Sequence, residues 1–291
     1  MESNTADKDI GRYIAESAES YLAPDGKRLP VISLKTTASI ANSQRISAKE
    51  VEITALKQGI VPRRYLRNIG TIGLVGQIKL LQSIVAVVGA GGLGGTIIEL
   101  LARQGVGHLI IIDNDRFTEQ NLNRQIMSTE GNLGKYKVTV AARRVGKINS
   151  ATTVTTFRER LTRENAQNLL SGAQVVADGL DNLPSRLVVE QACRQLAIPY
   201  VYASIAGFSG QLMTIFPEDA GLTSIYGSFD AIPEQGIETK IGNPPATPAI
   251  IAALQVQEVV KIITGVGKPA RNQILLVDAR ECVIDRIELR R

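Results

Sequence analysis

Four short segments carry the residues of this 291-residue chain that could do chemistry together. GAGGLG at 89–94 fits G-x-G-x-x-G through Gly89, Gly91 and Gly94, with Gly92 inside it. It follows the apolar run IVAVVG and precedes GTIIELLARQG, so it reads as the turn between a buried strand and a helix. Glycines there let backbone approach a phosphate, and the free N–H groups of the helix start attract it. Asp113 closes the next apolar run, HLIIID. An acid at that place takes ribose hydroxyls. Together these residues predict a nucleotide site without naming the nucleotide.

The other segments discriminate. DNDRFTEQNLNRQ supplies Asp115, Asn121, Arg124 and Gln125, and Lys137 follows in GKYK. Two cations converging on a diphosphate site suggest a triphosphate whose charge must be neutralised as it reacts. Asp181 and Asn182 lie in DGLDN, after the buried run AQVVADG, at the sheet edge where such folds bind ligands. A carboxylate there can hold Mg²⁺ against phosphate oxygens. Taken singly, Arg124 and Lys137 read equally as surface charges and Asp181 as a helix cap. An NAD(P)-dependent oxidoreductase explains Gly89 to Asp113 but leaves Arg124, Lys137 and Asp181 without work.

The elements that position these residues alternate. KVTVAARRVGKI has helical spacing, TVTTF reads as a strand, and TRENAQNLLS reads as a helix opened by a capping residue. LPSRLVVEQACRQLA is a helix and IPYVYAS a strand. The expected fold is α/β, with a Rossmann-like, mostly parallel sheet covered by helices on both faces. GQLMTIFP, ILLVDAR and CVIDRIEL add strands at the C-terminal end, expected to be antiparallel. Between them Thr247-Pro248 offers an N-cap and a first-turn proline for AIIAALQVQEVVKIITG, apolar almost all round and closed by Gly265. The pattern-poor stretch 217–247 reads as a mobile, functional loop. Residues 1–62 form an expected N-terminal helical extension, with a helix through SAKEVEITALKQ whose Ser47 and Glu50 have capping-box spacing. The rest, 63–291, is one catalytic domain: a nucleotide-binding half over 84–204 and a partner-binding half over 205–291.

Composition sets the bounds. A net charge of +5 suits a phosphate-bearing ligand or an acidic protein partner. Aromatic residues make up 4% and Trp is absent, which disfavours base-stacking platforms; RIELRR is too short for a nucleic-acid patch. The 19 uncharged residues from Leu80 to Ile98 have membrane-span length, but their glycines fit a strand-turn-helix better. Cys193 and Cys282 form no C-x-x-C pair, which points to a reducing cytoplasm, and the charged N-terminus lacks an export signal's apolar core. Both thiols read as core residues, and His108 has no readable catalytic partner.

GAGGLG, DNDRFTEQNLNRQ, GKYK and DGLDN, in that order and spacing, resemble the ThiF/MoeB/HesA family, and RRYLRNIGTIGLVGQ resembles its lead-in. Those are bacterial relatives of ubiquitin-activating enzymes, which adenylate the C-terminal glycine of ubiquitin-like sulfur carriers. The resemblance implies ATP and Mg²⁺ as cofactors, a small ThiS- or MoaD-like partner ending in Gly-Gly, and a homodimer. It implies that Gly92 and its neighbours touch the triphosphate and Asp113 the ribose. Asn121 and Arg124 would bind the phosphates, with Gln125 adjacent, Lys137 would serve the departing pyrophosphate, and Asp181 the Mg²⁺, with Asn182 beside it. Arg67, in the lead-in, would reach the triphosphate of the neighbouring subunit. Many members hold zinc through two C-x-x-C pairs and carry a loop cysteine. Here PEDAGLTSIYG and FDAIPEQGIETKIGNPP contain no cysteine, so no zinc and no loop thioester are expected. Three other readings stay open: an NAD(P) oxidoreductase, a member adenylating a tRNA base or a peptide, and a non-catalytic carrier-binding scaffold.

Overall fold

The computed structural model describes residues 3–227 and 238–289. Before residue 63 come helix α1 (Ser3–Glu16), strands β1 (Glu19–Leu22) and β2 (Arg28–Ile32), helices α2 (Leu34–Gln44) and α3 (Ala48–Lys57), and the short strand β3 (Val61–Pro62). Helix α4 (Leu66–Gln82) leads into β4 (Ile84–Val88), α5 (Gly92–Gln104), β5 (His108–Ile112), α6 (Lys137–Ile148) and β6 (Thr153–Phe157). There follow α7 (Ala166–Leu170), β7 (Val175–Asp178), α8 (Leu183–Gln195), β8 (Tyr200–Ala206) and β9 (Ser209–Ile215). Last come α9 (Thr223–Tyr226), α10 (Glu238–Ile241), α11 (Ala246–Thr264), β10 (Gln273–Asp278) and β11 (Val283–Glu288).

Eight strands form one sheet in the order β11-β10-β9-β8-β7-β4-β5-β6. The five from β8 to β6 are parallel, and β9, β10 and β11 extend the sheet antiparallel. Strands β4, β5 and β7 are continuous apolar runs because both their faces are covered. Successive side chains alternate sides. Val85 and Val87 join Ile97 and Leu101 of α5 and Val138, Ala141 and Val145 of α6 on one face. Ala86 and Val88 join Leu169 of α7 and Leu187 of α8 on the other. Burying each such branched side chain contributes about 1.5–3 kcal/mol. Winding reverses between β4 and β7, which opens a crevice at the strands' C-terminal ends.

Helix α11 is long and apolar enough to cross a membrane, the one such helix among the described residues. Here it lies on the sheet, with Ile251, Ala252, Val256 and Val259 in the core. Its polar Gln255 is buried too, donating from Nε2 to the carbonyls of Asp178 (2.9 Å) and Val201 (3.1 Å). The helix closes at Gly265 in the left-handed region, as expected, but it begins at Ala246. Thr247 is therefore not its cap; its hydroxyl donates instead to the Gly207 carbonyl (2.8 Å). In the same way α7 starts at Ala166, four residues after Thr162, because the Asn165 carboxamide accepts the Thr162 N–H and holds a turn first.

The N-terminal part is more than the expected helical extension. It carries a three-stranded sheet, β1-β2-β3, over its own core of Ile14, Ile32, Ile40, Val51 and Ala55. Ala23-Pro24-Asp25-Gly26 turns β1 into β2, with Gly26 at φ +81°. Helix α3 has the capping box that Ser47 and Glu50 foretell. Of the loop 217–247, α9 and α10 are short helices; residues 228–237, which include most of FDAIPEQGIETKIGNPP, lie outside the described set.

Candidate active site

The glycine loop does two jobs with different glycines. Gly89 has φ +91°, and a Cβ there would stand 2.4 Å from the Gly179 carbonyl oxygen. A Cβ on Gly94 would stand 1.8 Å from the Gly89 oxygen, and one on Gly179 2.5 Å from it. These three glycines let the turns after β4 and β7 touch, so no side chain fits. Gly91 and Gly92 have room, with nearest atoms 3.6 Å (Gln125 Nε2) and 3.5 Å (Pro248 Cβ) away. They line the cavity at the start of α5, where phosphate meets free N–H groups. Gly94 does not line it.

Asp113 latches that loop. Its Oδ2 accepts the Ala90 N–H (2.7 Å) and its Oδ1 the Asp115 N–H (2.7 Å). Each oxygen keeps acceptor capacity for a ribose hydroxyl. Burial pushes its carboxyl above the usual carboxylate range, against the pull of the Ala90 N–H and the Lys137 charge. Lys137 opens α6 and is nearly buried, with Nζ 2.9 Å from Asp115 Oδ2; the Asp115 side chain is 60% exposed. Arg124 sits on an exposed turn, donating to the Gln120 carbonyl and Asn123 Oδ1, both at 3.0 Å. Gln125 beside it is buried, and its Oε1 has no hydrogen-bond partner among the described residues. Asn121 is buried without lining the cavity. Its Oδ1 accepts the Thr118 N–H (2.9 Å) and shapes the turn that carries Arg124 and Gln125.

The turn after β7 brings Asp181. Among the described residues its exposed carboxylate accepts only from Asn182 Nδ2 (2.9 Å), while Asn182 Oδ1 caps α8 through the Ser185 N–H (2.9 Å). No cluster of three His, Cys, Asp or Glu side chains exists among the described residues. A Mg²⁺ ion fits such a site, because Mg²⁺ takes one or two carboxylates and fills its remaining positions with phosphate oxygens and water. Two partners of this turn escape sequence reasoning. Asp178, fully buried, accepts from Arg186 Nε (2.9 Å) and from the Leu180 N–H (2.8 Å). Arg186 also donates to the Leu180 carbonyl (2.6 Å) and lies over the Tyr202 ring at 5.5 Å. Burial pushes the Asp178 carboxyl up and the guanidinium opposes it. The signal was present in DGLDNLPSR, whose acid ends a strand eight residues before an arginine in the next helix's first turns.

One cavity of about 740 Å³, within the usual range for a ligand site, joins these groups. It runs from Asp113 past Gly91, Gly92, Arg124, Gln125 and Lys137 to Asp181 and Asn182, and on to Tyr202, Ser204, Gln211 and Tyr226. Arg67 lies exposed on α4, outside its own chain's cavity. Cys193 is buried, with its thiol pushed up by burial. Cys282 corrects the expectation of a core thiol: it is exposed in the β10–β11 turn at φ +57°. His108 is half-buried against the Thr155 hydroxyl (2.9 Å).

Comparison with known proteins agrees with this geometry. Residues 65–291 match the ThiF family. The sulfur carrier protein adenylyltransferase of Thermus thermophilus is 32% identical over 67% of this chain and 74% of its own length. The sulfur carrier protein ThiS adenylyltransferase of Escherichia coli is 34% identical over 66% of this chain and 76% of its length. The SAMP-activating enzyme E1 of Haloferax volcanii is 32% identical over 66% and 72%. The crystal structure of Escherichia coli MccB with ATP shares the fold, with TM-score 0.68 and 24% identity over 88% of this chain and 82% of that one. This chain belongs to the ThiF family, and it is an adenylyltransferase.

Proposed function

We propose that the chain uses ATP and Mg²⁺ to adenylate the C-terminal glycine of a small ubiquitin-like sulfur carrier of the ThiS or MoaD kind, ending in Gly-Gly. The observation that carries this reading is the single cavity joining a phosphate floor, two cations and an open carboxylate. A carboxylate oxygen of the carrier attacks the α-phosphorus, the bond to the bridging oxygen breaks, and pyrophosphate leaves with its electrons. The attacking group is already an anion, so no general base is needed; positioning and charge neutralisation do the work. Gly91 and Gly92 cradle phosphate with Gln125 beside them, Asp113 holds the ribose, and Arg124 and Lys137 stabilise the leaving charge. Asp181, steadied by Asn182, would hold Mg²⁺, which would supply positive charge against the triphosphate. Asn121 acts through the turn it shapes. The working form is a cytoplasmic homodimer in which Arg67 serves the neighbouring site, and zinc and nucleic acid have no role.

ATP–pyrophosphate exchange, run with a panel of small proteins ending in Gly-Gly, tests this. Exchange that depends on one such protein supports the reading; binding of NADH in place of ATP-Mg²⁺ overturns it. The N-terminal subdomain favours a second reading, adenylation of a short peptide. It lies outside the family match, and its strand β1 is an open sheet edge with which an extended peptide can pair. Peptides in the same panel separate the two.

A further inference from the structure

Beyond Asp181 the cavity continues into a group of polar side chains that the nucleotide does not need. Strands β5, β4, β7, β8 and β9 are consecutive neighbours in the sheet. At about 4.8 Å per strand, the ribose acid on β5 and the hairpin strand β9 stand on opposite sides of the Asp181 turn, each about 10 Å from β7. A nucleotide anchored at Asp113 with its α-phosphorus near β7 therefore leaves β8 and β9 to the acyl substrate. The N–H of the terminal residue is within one residue's rise, about 3.3–3.6 Å, of the reacting carboxyl. The Gln211 side chain reaches back from β9 over β8 toward it.

Gln211 on β9 occupies this end. It is the cross-strand partner of Ser204 on β8. Its Nε2 donates to Tyr202 Oη (2.7 Å) and Ser204 Oγ (2.8 Å), and it also contacts the Tyr226 hydroxyl. The two tyrosine oxygens are themselves 2.8 Å apart. Tyr202 is fixed in turn by the Arg186 guanidinium over its ring. Burial keeps the Tyr202 hydroxyl protonated, pushing it above its usual value. The two N–H groups of the carboxamide are thus taken by Tyr202 and Ser204, with the Tyr226 hydroxyl packed beside them. The other side, the carbonyl oxygen, accepts no hydrogen bond among the described residues, and Gln211 lines the cavity.

We propose that Gln211, held by Tyr202, Ser204 and Tyr226, accepts a hydrogen bond from the N–H of the C-terminal residue of the acyl substrate and so selects a peptide tail over other carboxylates. The inference rests on the adenylation reading but not on which polypeptide is activated. A free fatty or aromatic acid has no N–H at that position and leaves the pair unmade.

The test uses adenylate analogues on the intact protein. One carries acetyl-Gly-Gly joined through a sulfamoyl link to adenosine; a second replaces the N–H of its terminal glycine by an ester oxygen; a third is sulfamoyladenosine alone. The expected result is that wild-type protein binds the amide about tenfold more tightly than the ester, the worth of one hydrogen bond in a dry site. Gln211→Met is expected to bind amide and ester alike while keeping sulfamoyladenosine within about twofold, and Tyr226→Phe to narrow the gap. The ester comparison needs only wild-type protein, so a badly folded variant does not decide it. Equal affinity of wild type for amide and ester overturns the proposal alone. Failure of all three analogues to bind overturns the adenylation reading and this proposal with it.

Discussion

Lys137 is a buried cation whose one ion-pair partner among the described residues, Asp115, stands in solvent. That pairing fixes its position before a ligand arrives and can yield, since the exposed Asp115 carboxylate regains water when phosphate replaces it. Triphosphate oxygens can then take over the ammonium. Lys137→Ala and Arg124→Ala are each expected to cut pyrophosphate exchange by about 10²-fold or more. Arg124→Ala should melt within a few degrees of wild type, because its side chain bonds only its own exposed turn. Wild-type exchange in either variant would remove that residue from the reaction. Asp181 calls for a different readout. Asp181→Asn should raise the Mg²⁺ concentration that gives half-maximal exchange by roughly tenfold, since a charged ligand is lost from a sparse coordination set. A Mg²⁺ titration superimposable on wild type would show that the carboxylate holds no metal.

The glycine loop shows at the scale of elements how one motif serves packing and binding at once. Gly94→Ala drives a methyl into backbone at 1.8 Å and is expected to cost on the order of 4 kcal/mol or to prevent folding. Gly91→Ala meets nothing closer than 3.6 Å, so it should fold and lose ATP affinity instead. Equal melting temperatures for the two would refute the division of labour. Glu99 ties α5 to α6 through Arg144, and it also accepts from Arg103 one turn along its own helix. The Arg144 hydrogen bonds hold its carboxyl below the usual range. A depressed acid stabilises the fold above its unfolded-state pKa and loses that contribution as pH falls through the folded one. Glu99→Gln should therefore melt below wild type at pH 7, with the gap closing under about pH 4.5. A gap that stays constant with pH would show that the charge contributes nothing.

Much of this was legible because the parallel strands are buried on both faces and announce themselves as runs such as IVAVV and HLIII. The N-terminal strands hid for the opposite reason. ESYL is short and largely exposed, and RLPVI is short with only Val31 and Ile32 fully buried, so neither alternation nor a long apolar run marks them. Among site residues, charged groups inside a spaced motif could be read. Asp178 and Arg186 left only the spacing in DGLDNLPSR, and Gln211 left nothing, because its role comes from tertiary partners on other elements.

Arg67 raises the question that only the whole molecule answers. It opens α4, the helix that leaves the N-terminal subdomain, close to a buried junction where the Tyr65 hydroxyl donates to Glu52 of α3 (3.1 Å) and accepts from Asn149 (2.9 Å). That junction fixes the start of α4 on the body, and Arg67 does not line its own cavity. If it serves catalysis, it serves a partner's site. Two inactive proteins, Arg67→Ala and Lys137→Ala, test this when mixed and allowed to exchange subunits. In a mixed dimer, the site built on the Arg67→Ala subunit has its own Lys137 and receives an intact Arg67 from its partner. The other site lacks both. Random pairing makes half the dimers mixed, so exchange activity should return to about a quarter of wild type. Action within one subunit predicts no recovery at any mixing ratio, because every subunit then carries a defective site. Light scattering on the mixture must show dimers; a monomer would remove Arg67 from the reaction altogether.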